Sequence, residues 1–329
     1  MSFEQGLIRS KSIEIDHHWG IILAGGDGNR LKDYTERLYG YHRPKQFCAL
    51  IGTRSLLRHT IARAQMLIPI NRIFTVVSKH HCNYFREELT GLPLRTILVQ
   101  PCSRGTSAGI LYPMLKIHRA DPDAVVSIFP SDHFIEEEER FMKYVHEAEL
   151  YVDQNPESIV MLGVRPDKIE TGYGWIECGN IIQNESSTNV FSVKKFWEKP
   201  SFETARDLMK LRSLLNTFVL VGKSSTFIKY IDECIPDVLD AFDLINQYID
   251  SGFEKYVAES IYHEIPDVNF SKSVLEKISE HLRVMEVTDI YWSDWGEESR
   301  VERDVNRFNN RNRLPETSFS KKKVYDSVA

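Results

Sequence analysis

The chain has 329 residues, 42% of them hydrophobic, and a formal net charge of −6. That length can bury the core of one large α/β domain, or of one domain with an appendage. Charges of both signs are spread along it, so no general affinity for nucleic acid or anionic membrane is expected.

Residues 1–18, "MSFEQGLIRSKSIEIDHH", form an N-terminal lead-in that mixes acids and bases and lacks the apolar stretch of a signal peptide. The pair His17-His18 reads as a solvated part of it. No apolar run reaches the length of a membrane span. The five cysteines, Cys48, Cys82, Cys102, Cys178 and Cys234, have no C-x-x-C spacing. Free thiols in a reducing compartment, and a soluble cytoplasmic protein, are the expectation.

"GIILAG" is a short apolar run stopping at glycines, the mark of a buried parallel strand. Residues 54–68 repeat apolar positions at helical spacing, Leu57, Ile61, Ala64 and Ile68. Then follow a strand (72–78), the helix "CNYFREEL" and a strand (94–100). "TSAGILYPMLKIHRA" predicts a helix with Thr106 or Ser107 as N-cap and a kink at Pro113. A buried strand (124–130), an amphipathic helix opened by the acidic run Glu136 to Glu139, and another strand (158–164) come next. This alternation predicts a Rossmann-like, mostly parallel sheet with helices on both faces, binding its ligand at the carboxyl ends of the strands. Beyond residue 170, "YGWIEC" and "VFSVKKFWEKP" read as a hairpin flap, "NTFVLVG" as a buried strand, helices extend to about residue 264, and "HLRVMEV" and "DIYWSDWG" as final strands. The division expected is a main domain over 19–304, with a nucleotide half (19–165) and a smaller sugar-phosphate half (166–304), then a polar tail over 305–329.

"WGIILAGGDGNRLKDYTERLYGYHRPKQF" (19–47) carries the first chemistry. A dinucleotide loop needs a third glycine where Leu31 stands, and an acidic residue near position 46, where the chain reads "PKQFCAL". An ATPase loop needs G-K-S/T where Gly28-Asn29-Arg30 stands. Both fail. Glycines at a strand end still let backbone N–H groups approach an anion, with Arg30 and Lys45 as cations beside it. Taken alone, the loop reads equally as a tight turn with surface cations.

"LAGGDGNRL" followed by Pro44-Lys45-Gln46-Phe47 resembles the signature of the sugar-phosphate nucleotidylyltransferases, most closely that of the mannose-1-phosphate guanylyltransferases. "QPCSRGTSAGI" (100–110), "FPSDHFI" (129–135), "TGYGWIE" (171–177), "FWEKP" (196–200), "NTFVLVG" (216–222) and "WSDWGE" (292–297) are similar to further family motifs, in the family's order. The resemblance spans roughly residues 19 to 300 and implies the nucleotidyltransferase fold.

Asp132, just past a buried strand, reads equally as a hard-cation ligand or a helix-capping aspartate. Asp294 alone reads as a turn residue, and Lys199 alone as a solvated lysine. The resemblance implies that Asp132 and Asp294 hold Mg²⁺. It implies catalytic cations at Arg30 and Lys45 for the NTP phosphates, and at Lys199 for the sugar phosphate. Nucleotide contacts are implied for Leu23, Ala24, Gly25, Gly26, Gly28, Gln100, Arg104, Thr106, Ser131 and Asp132. Sugar contacts are implied for Gly172, Tyr173, Gly174, Glu198 and Asn216. Trp175 and Trp197 read as core. The substrates implied are an NTP, by resemblance GTP, and a sugar 1-phosphate, by resemblance mannose 1-phosphate; relatives suggest a homodimer. Rivals are UDP- or dTDP-glucose or heptose chemistry, and a non-catalytic nucleotide-sugar binder. The chain departs from the pattern at Gly105, where the family has a nucleotide-contacting side chain, at Phe218, where it has a glycine, and at Ser271-Lys272, where it has an Asp-Tyr pair.

Overall fold

The computed structural model describes residues 17–182 and 188–312. Its strands are β1 (His18–Ala24), β2 (Ile73–Ser78), β3 (Ile97–Gln100), β4 (Val125–Pro130), β5 (Phe134–Ile135), β6 (Ile159–Val164), β7 (Gly174–Ile182), β8 (Val190–Glu198), β9 (Leu214–Lys223), β10 (Leu282–Val287) and β11 (Trp292–Ser293). Nine of them form one sheet, in the order β3-β2-β1-β4-β9-β6-β10-β8-β7. The pairs β3–β2, β2–β1, β1–β4 and β6–β10 are parallel, while β8 and β9 run against their neighbours. The sheet is mixed: β3-β2-β1-β4 are parallel throughout, as the alternating pattern predicts, whereas every pairing of β8 and β9 is antiparallel.

Alternation along β1 sends Ile21 to one face and Ile22 to the other, and both are fully buried. The Ile21 face is covered by the helices Gly105–Ala120, Ser224–Cys234, Pro236–Tyr248 and Glu254–Glu264. The opposite face is covered chiefly by Leu56–Ala64 and Glu138–Gln154. Each fully buried Ile or Phe contributes roughly 1.5–3 kcal/mol, so the two layers rather than helix propensity hold these elements. Among the described residues no helix is long and apolar enough to cross a membrane.

The overhang of β9 shapes the cleft. Ile128 of β4 pairs with Leu220, so the first part of β9 runs past the carboxyl end of β4. There Leu214 and Leu215 pair with Ile176 and Trp175 of β7, and β7 pairs with β8. The β7–β8 hairpin thus stands beyond the carboxyl end of β4.

Several expectations are corrected. His18 is not solvated: it lies in β1, only 4% exposed, with its ring against the buried Glu149 carboxylate, which also accepts from Ser127 Oγ at 2.8 Å. The helix expected to start at Thr106 or Ser107 starts at Gly105, with no side-chain cap. The expected hairpin is present as β7 and β8, nine residues each, but it is built into the main sheet, with β8 between β10 and β7, rather than standing apart as a flap. The last strand is only Trp292–Ser293, paired with β5 in a separate two-stranded ribbon. The helix Glu298–Asn312 crosses the boundary expected at residue 304, in line with a helix at the start of the polar tail, and the tail past 312 lies outside the described residues.

Candidate active site

The loop Gly25–Gly28 leaves the carboxyl end of β1, between β2 and β4. Gly28 has φ of 66°, and a Cβ there would stand 2.9 Å from the Lys45 backbone nitrogen. Glycine therefore both makes the turn and lets the Pro44-Lys45 segment pass beneath it. Gln46 fixes the arrangement, its Nε2 donating to the carbonyls of Ala24 at 3.0 Å and Gly26 at 2.7 Å. With those carbonyls held inward, the loop is set in one shape. Ser131, just after β4, donates its hydroxyl to Leu23 O at 2.6 Å and so anchors the residue before Asp132.

The charged groups meet here. Lys45 is 3% exposed; its Nζ lies 3.0 Å from Asp132 Oδ2, donates to Trp295 O at 3.2 Å, and also donates to Asp294 O. Arg30 NH2 reaches Asp294 Oδ2 at 3.5 Å. Asp294 Oδ1 accepts from the Gly296 N–H at 2.8 Å and from the Tyr173 hydroxyl. Tyr173 in turn accepts from Arg300, whose other nitrogen donates to Glu170 Oε1 at 2.8 Å.

Burial alone would raise the Asp132 carboxyl, but Lys45, His133 and Arg30 outweigh it and hold the group below the usual carboxylate range. Burial likewise opposes ionisation of Asp294, and is overcome by His133, Lys45, the Tyr173 hydroxyl and the Gly296 N–H. Both are carboxylates near neutral pH. His133 goes the other way: burial, reinforced by Lys45, pushes its imidazole down to about 4. Across the loop, burial and His80 push His81 down to about 4 as well, leaving a neutral ring.

Of these groups Arg30, Asp132, His133, Tyr173 and Asp294 face a cleft of about 380 Å³, lined on one side by Leu23, Gly25, Gly26, Gly28, Arg30, Gln100, Ser131 and Asp132. The other wall is Gly172, Tyr173, Gly174, Glu198, Lys199, Asn216 and Asp294. Lys199 is held at φ of 47°, its backbone N–H donates to Tyr173 O at 3.1 Å, and its ammonium lies 3.3 Å from Glu198 Oε1. A larger cavity of about 810 Å³ near Leu94 and Tyr112 gathers none of the expected residues.

The oxygens least engaged by protein donors are Asp132 Oδ1 and Asp294 Oδ2. Two carboxylates offering oxygen to one cleft are a hard-ligand set that fits Mg²⁺.

Not every expected residue arrives. Arg104 is turned away, donating to Tyr262 O at 2.5 Å and His263 O at 3.1 Å, where it serves the carbonyl end of the helix Glu254–Glu264. The Thr106 hydroxyl, although at the cleft, accepts from the Phe270 N–H at 2.8 Å and so holds the 267–270 segment. Lys45 lies beneath the cleft rather than on its surface. The Tyr173 hydroxyl is taken up by Asp294 and Arg300, so the side chain orients Asp294. Ala24 contributes its carbonyl to Gln46 and no cleft surface. Trp175 is core as expected, fully buried with its indole donating to Glu170 O at 2.6 Å, and Trp197 is partly buried against the same layer.

Sequence reasoning did not assign Gln46, His133, Glu170 or Arg300. Gln46 and His133 sit inside quoted motifs, which was the available signal. Glu170 and Arg300 lie outside any motif and are joined only by the fold.

The departures have structural counterparts. Gly105 has φ of 74°, and a Cβ there would stand 2.3 Å from Val268 O. The 267–270 segment, bonded to Arg104 O and Thr106, fills the space a side chain would take. Phe218 keeps φ of 59° despite its bulk. It sits in a bulge of β9 whose register with β6 shifts between Met161 and Gly163, with Asn216 Oδ1 accepting its N–H at 3.0 Å.

The profile described as "Nucleotidyl transferase" matches residues 19–302. Among curated proteins the chain is similar to "Mannose-1-phosphate guanylyltransferase" of Salmonella montevideo, 31% identical over 289 residues, covering 84% of this chain and 57% of that one. A protein of the same name from Klebsiella pneumoniae is 29% identical over 280 residues, again with 84% and 57% covered. The chain therefore spans little more than half the length of these relatives. Its fold is similar to the crystal structure of a "mannose-1-phosphate geranyltransferase" from Thermus thermophilus, with TM-score 0.73, 23% identity, and 87% and 78% of the two chains covered.

Proposed function

Because the chain belongs to the nucleotidyl transferase family, we propose that it joins an NTP to a sugar 1-phosphate, giving NDP-sugar and pyrophosphate. A phosphate oxygen of the sugar phosphate attacks the α-phosphorus in line, and the bond from that phosphorus to the β-bridging oxygen breaks. The attacking oxygen is already anionic near neutral pH, so no general base is needed. The barrier lies in bringing two polyanions together, and catalysis is positioning with charge neutralisation.

The observation that carries this reading is the meeting of Arg30, Asp132 and Asp294 at one cleft, with Lys45 clamped beneath it and Lys199 on its wall. Asp132 and Asp294 would hold Mg²⁺, which when bound supplies positive charge between the two phosphates. The loop amides and Arg30 bind the departing β,γ-phosphates. Lys45, clamped under the loop, neutralises charge near the α-phosphate and sets Asp132. Lys199 binds the sugar phosphate. Glu198, Asn216 and the Gly172–Gly174 backbone take sugar hydroxyls. Leu23, Gln100 and Ser131 border the base and ribose. The nucleotide half is residues 19–165 and the sugar-phosphate half 166–304.

The relatives' names favour GTP and mannose 1-phosphate as the pair. Phe218 and Gly105 alter the surface next to both substrates, and favour a second reading with the same chemistry on another base or sugar. Pyrophosphate release over a grid of nucleotides and sugar 1-phosphates, with and without Mg²⁺, tests the proposal. Mg²⁺-dependent release with one pair is expected. No release from any pair, together with tight NDP-sugar binding, would replace the transferase by a binder.

A further inference from the structure

On the outer side of the glycine loop lies a cluster that the proposed reaction does not use. Asp27 Oδ1 is 2.7 Å from His80 Nε2 and 3.4 Å from His81 Nε2, and the three potential ligand atoms all lie within 4.8 Å of one another. Asp27 belongs to the loop after β1; the two histidines form the short turn Lys79–His81 after β2. We propose that Asp27, His80 and His81 form a site for a transition-metal ion of the Zn²⁺ class, which latches the phosphate loop to the end of β2.

The geometry is close to what such an ion needs. Zinc–nitrogen and zinc–oxygen bonds of about 2.0–2.2 Å in a tetrahedron put ligand atoms roughly 3.3–3.5 Å apart, a small adjustment from the observed spacing. Two imidazoles and one carboxylate select Zn²⁺ over Mg²⁺, unlike the all-oxygen pair in the cleft. The rings are pre-aimed. His80 Nδ1 lies 2.7 Å from Ser78 Oγ, an outer partner of the kind that orients a metal-ligating histidine. His81 is buried edge-on against Phe47, and its Nδ1 has no hydrogen-bond partner, so Nε2, facing Asp27, is its polar outlet. The Asp27 and His80 side chains are 45% and 50% exposed, which gives the ion an entry path and leaves a position open to solvent. One carboxylate and two neutral rings would leave the bound ion a net positive charge beside a loop whose amides already suit anions.

The test does not depend on the transfer reaction. Zn²⁺ is titrated calorimetrically into the nucleotide-free protein in excess Mg²⁺. The wild type should bind one equivalent that Asp27→Asn and His80→Ala each weaken by at least about 100-fold, the upper range for loss of a mere outer partner. Both positions are half exposed, so the variants should melt as the wild type does without zinc. Cys82→Ser, removing the neighbouring thiol, should bind as the wild type. No binding by the wild type, unchanged binding by either ligand variant, or loss of binding in Cys82→Ser would each overturn the site.

Discussion

Asp132 and Lys45 form a pair in which one partner is nearly inaccessible and the other opens to the cleft. Replacing Asp132 by Asn should abolish metal-dependent turnover while the protein stays folded, since the amide, 35% exposed like the carboxylate it replaces, fills the same space. The same substitution carries a pH signature. The Asp132 carboxyl is held below its unfolded value of about 3.9, so its stabilisation is complete above that pH and fades as the pH falls through the lower folded value. The Tm difference between wild type and Asp132→Asn should therefore be largest near neutral pH and shrink below about pH 4. A difference that grew on acidification would contradict the assignment. Tyr173→Phe removes a donor from Asp294 and an acceptor from Arg300, both buried, and should cost about 1–3 kcal/mol in urea unfolding. Residues with a short-range signal were legible: Arg30, Lys45, Asp132 and Asp294 sit in motifs and meet as expected. Arg104 points away from the cleft, and the Thr106 hydroxyl at its edge also holds the Phe270 N–H, because a motif fixes a position along the chain, not the direction of a side chain. Arg104 finds carbonyls at a helix end 158 and 159 residues away, which no local pattern announces.

The elements followed from apolar periodicity wherever a strand or helix is buried by its own pattern. β1, β2, β4 and β6 are largely apolar runs with only small polar residues or His18 among them, and all lie inside the sheet. What periodicity did not carry was pairing. The overhang of β9 past β4, and the bulge around Phe218, depend on register between strands far apart in sequence. The helix start at Gly105 was misread for a related reason: its ordering partner is the 267–270 segment, not a side-chain cap. A prediction belongs to that contact. Gly105→Asn, restoring the residue type of the resembled pattern, places a Cβ against Val268 O at positive φ. It should destabilise the protein by about 1–3 kcal/mol and loosen residues 267–270, read by urea melts and amide exchange. An unchanged midpoint would show that the segment yields freely.

Across the whole molecule, one sheet supplies both walls of the cleft. The parallel strands β1 and β4 end in the glycine loop and Asp132, while the β9 overhang carries β7 and β8 with Gly174, Glu198 and Lys199 to the far side. Asp294 returns from the end of the chain between them. Lys199→Ala should raise KM for the sugar phosphate far more than for the NTP, because only one wall changes; equal effects on both would contradict that division. The central claim is that Asp132 and Asp294, 162 positions apart in the sequence, act together on one cation. Mn²⁺ binding followed by electron paramagnetic resonance, with and without nucleotide, measures this directly. One nucleotide-dependent Mn²⁺ per chain is expected in the wild type, lost in both Asp132→Asn and Asp294→Asn. Retention of that ion in either variant would mean that the two carboxylates do not share it.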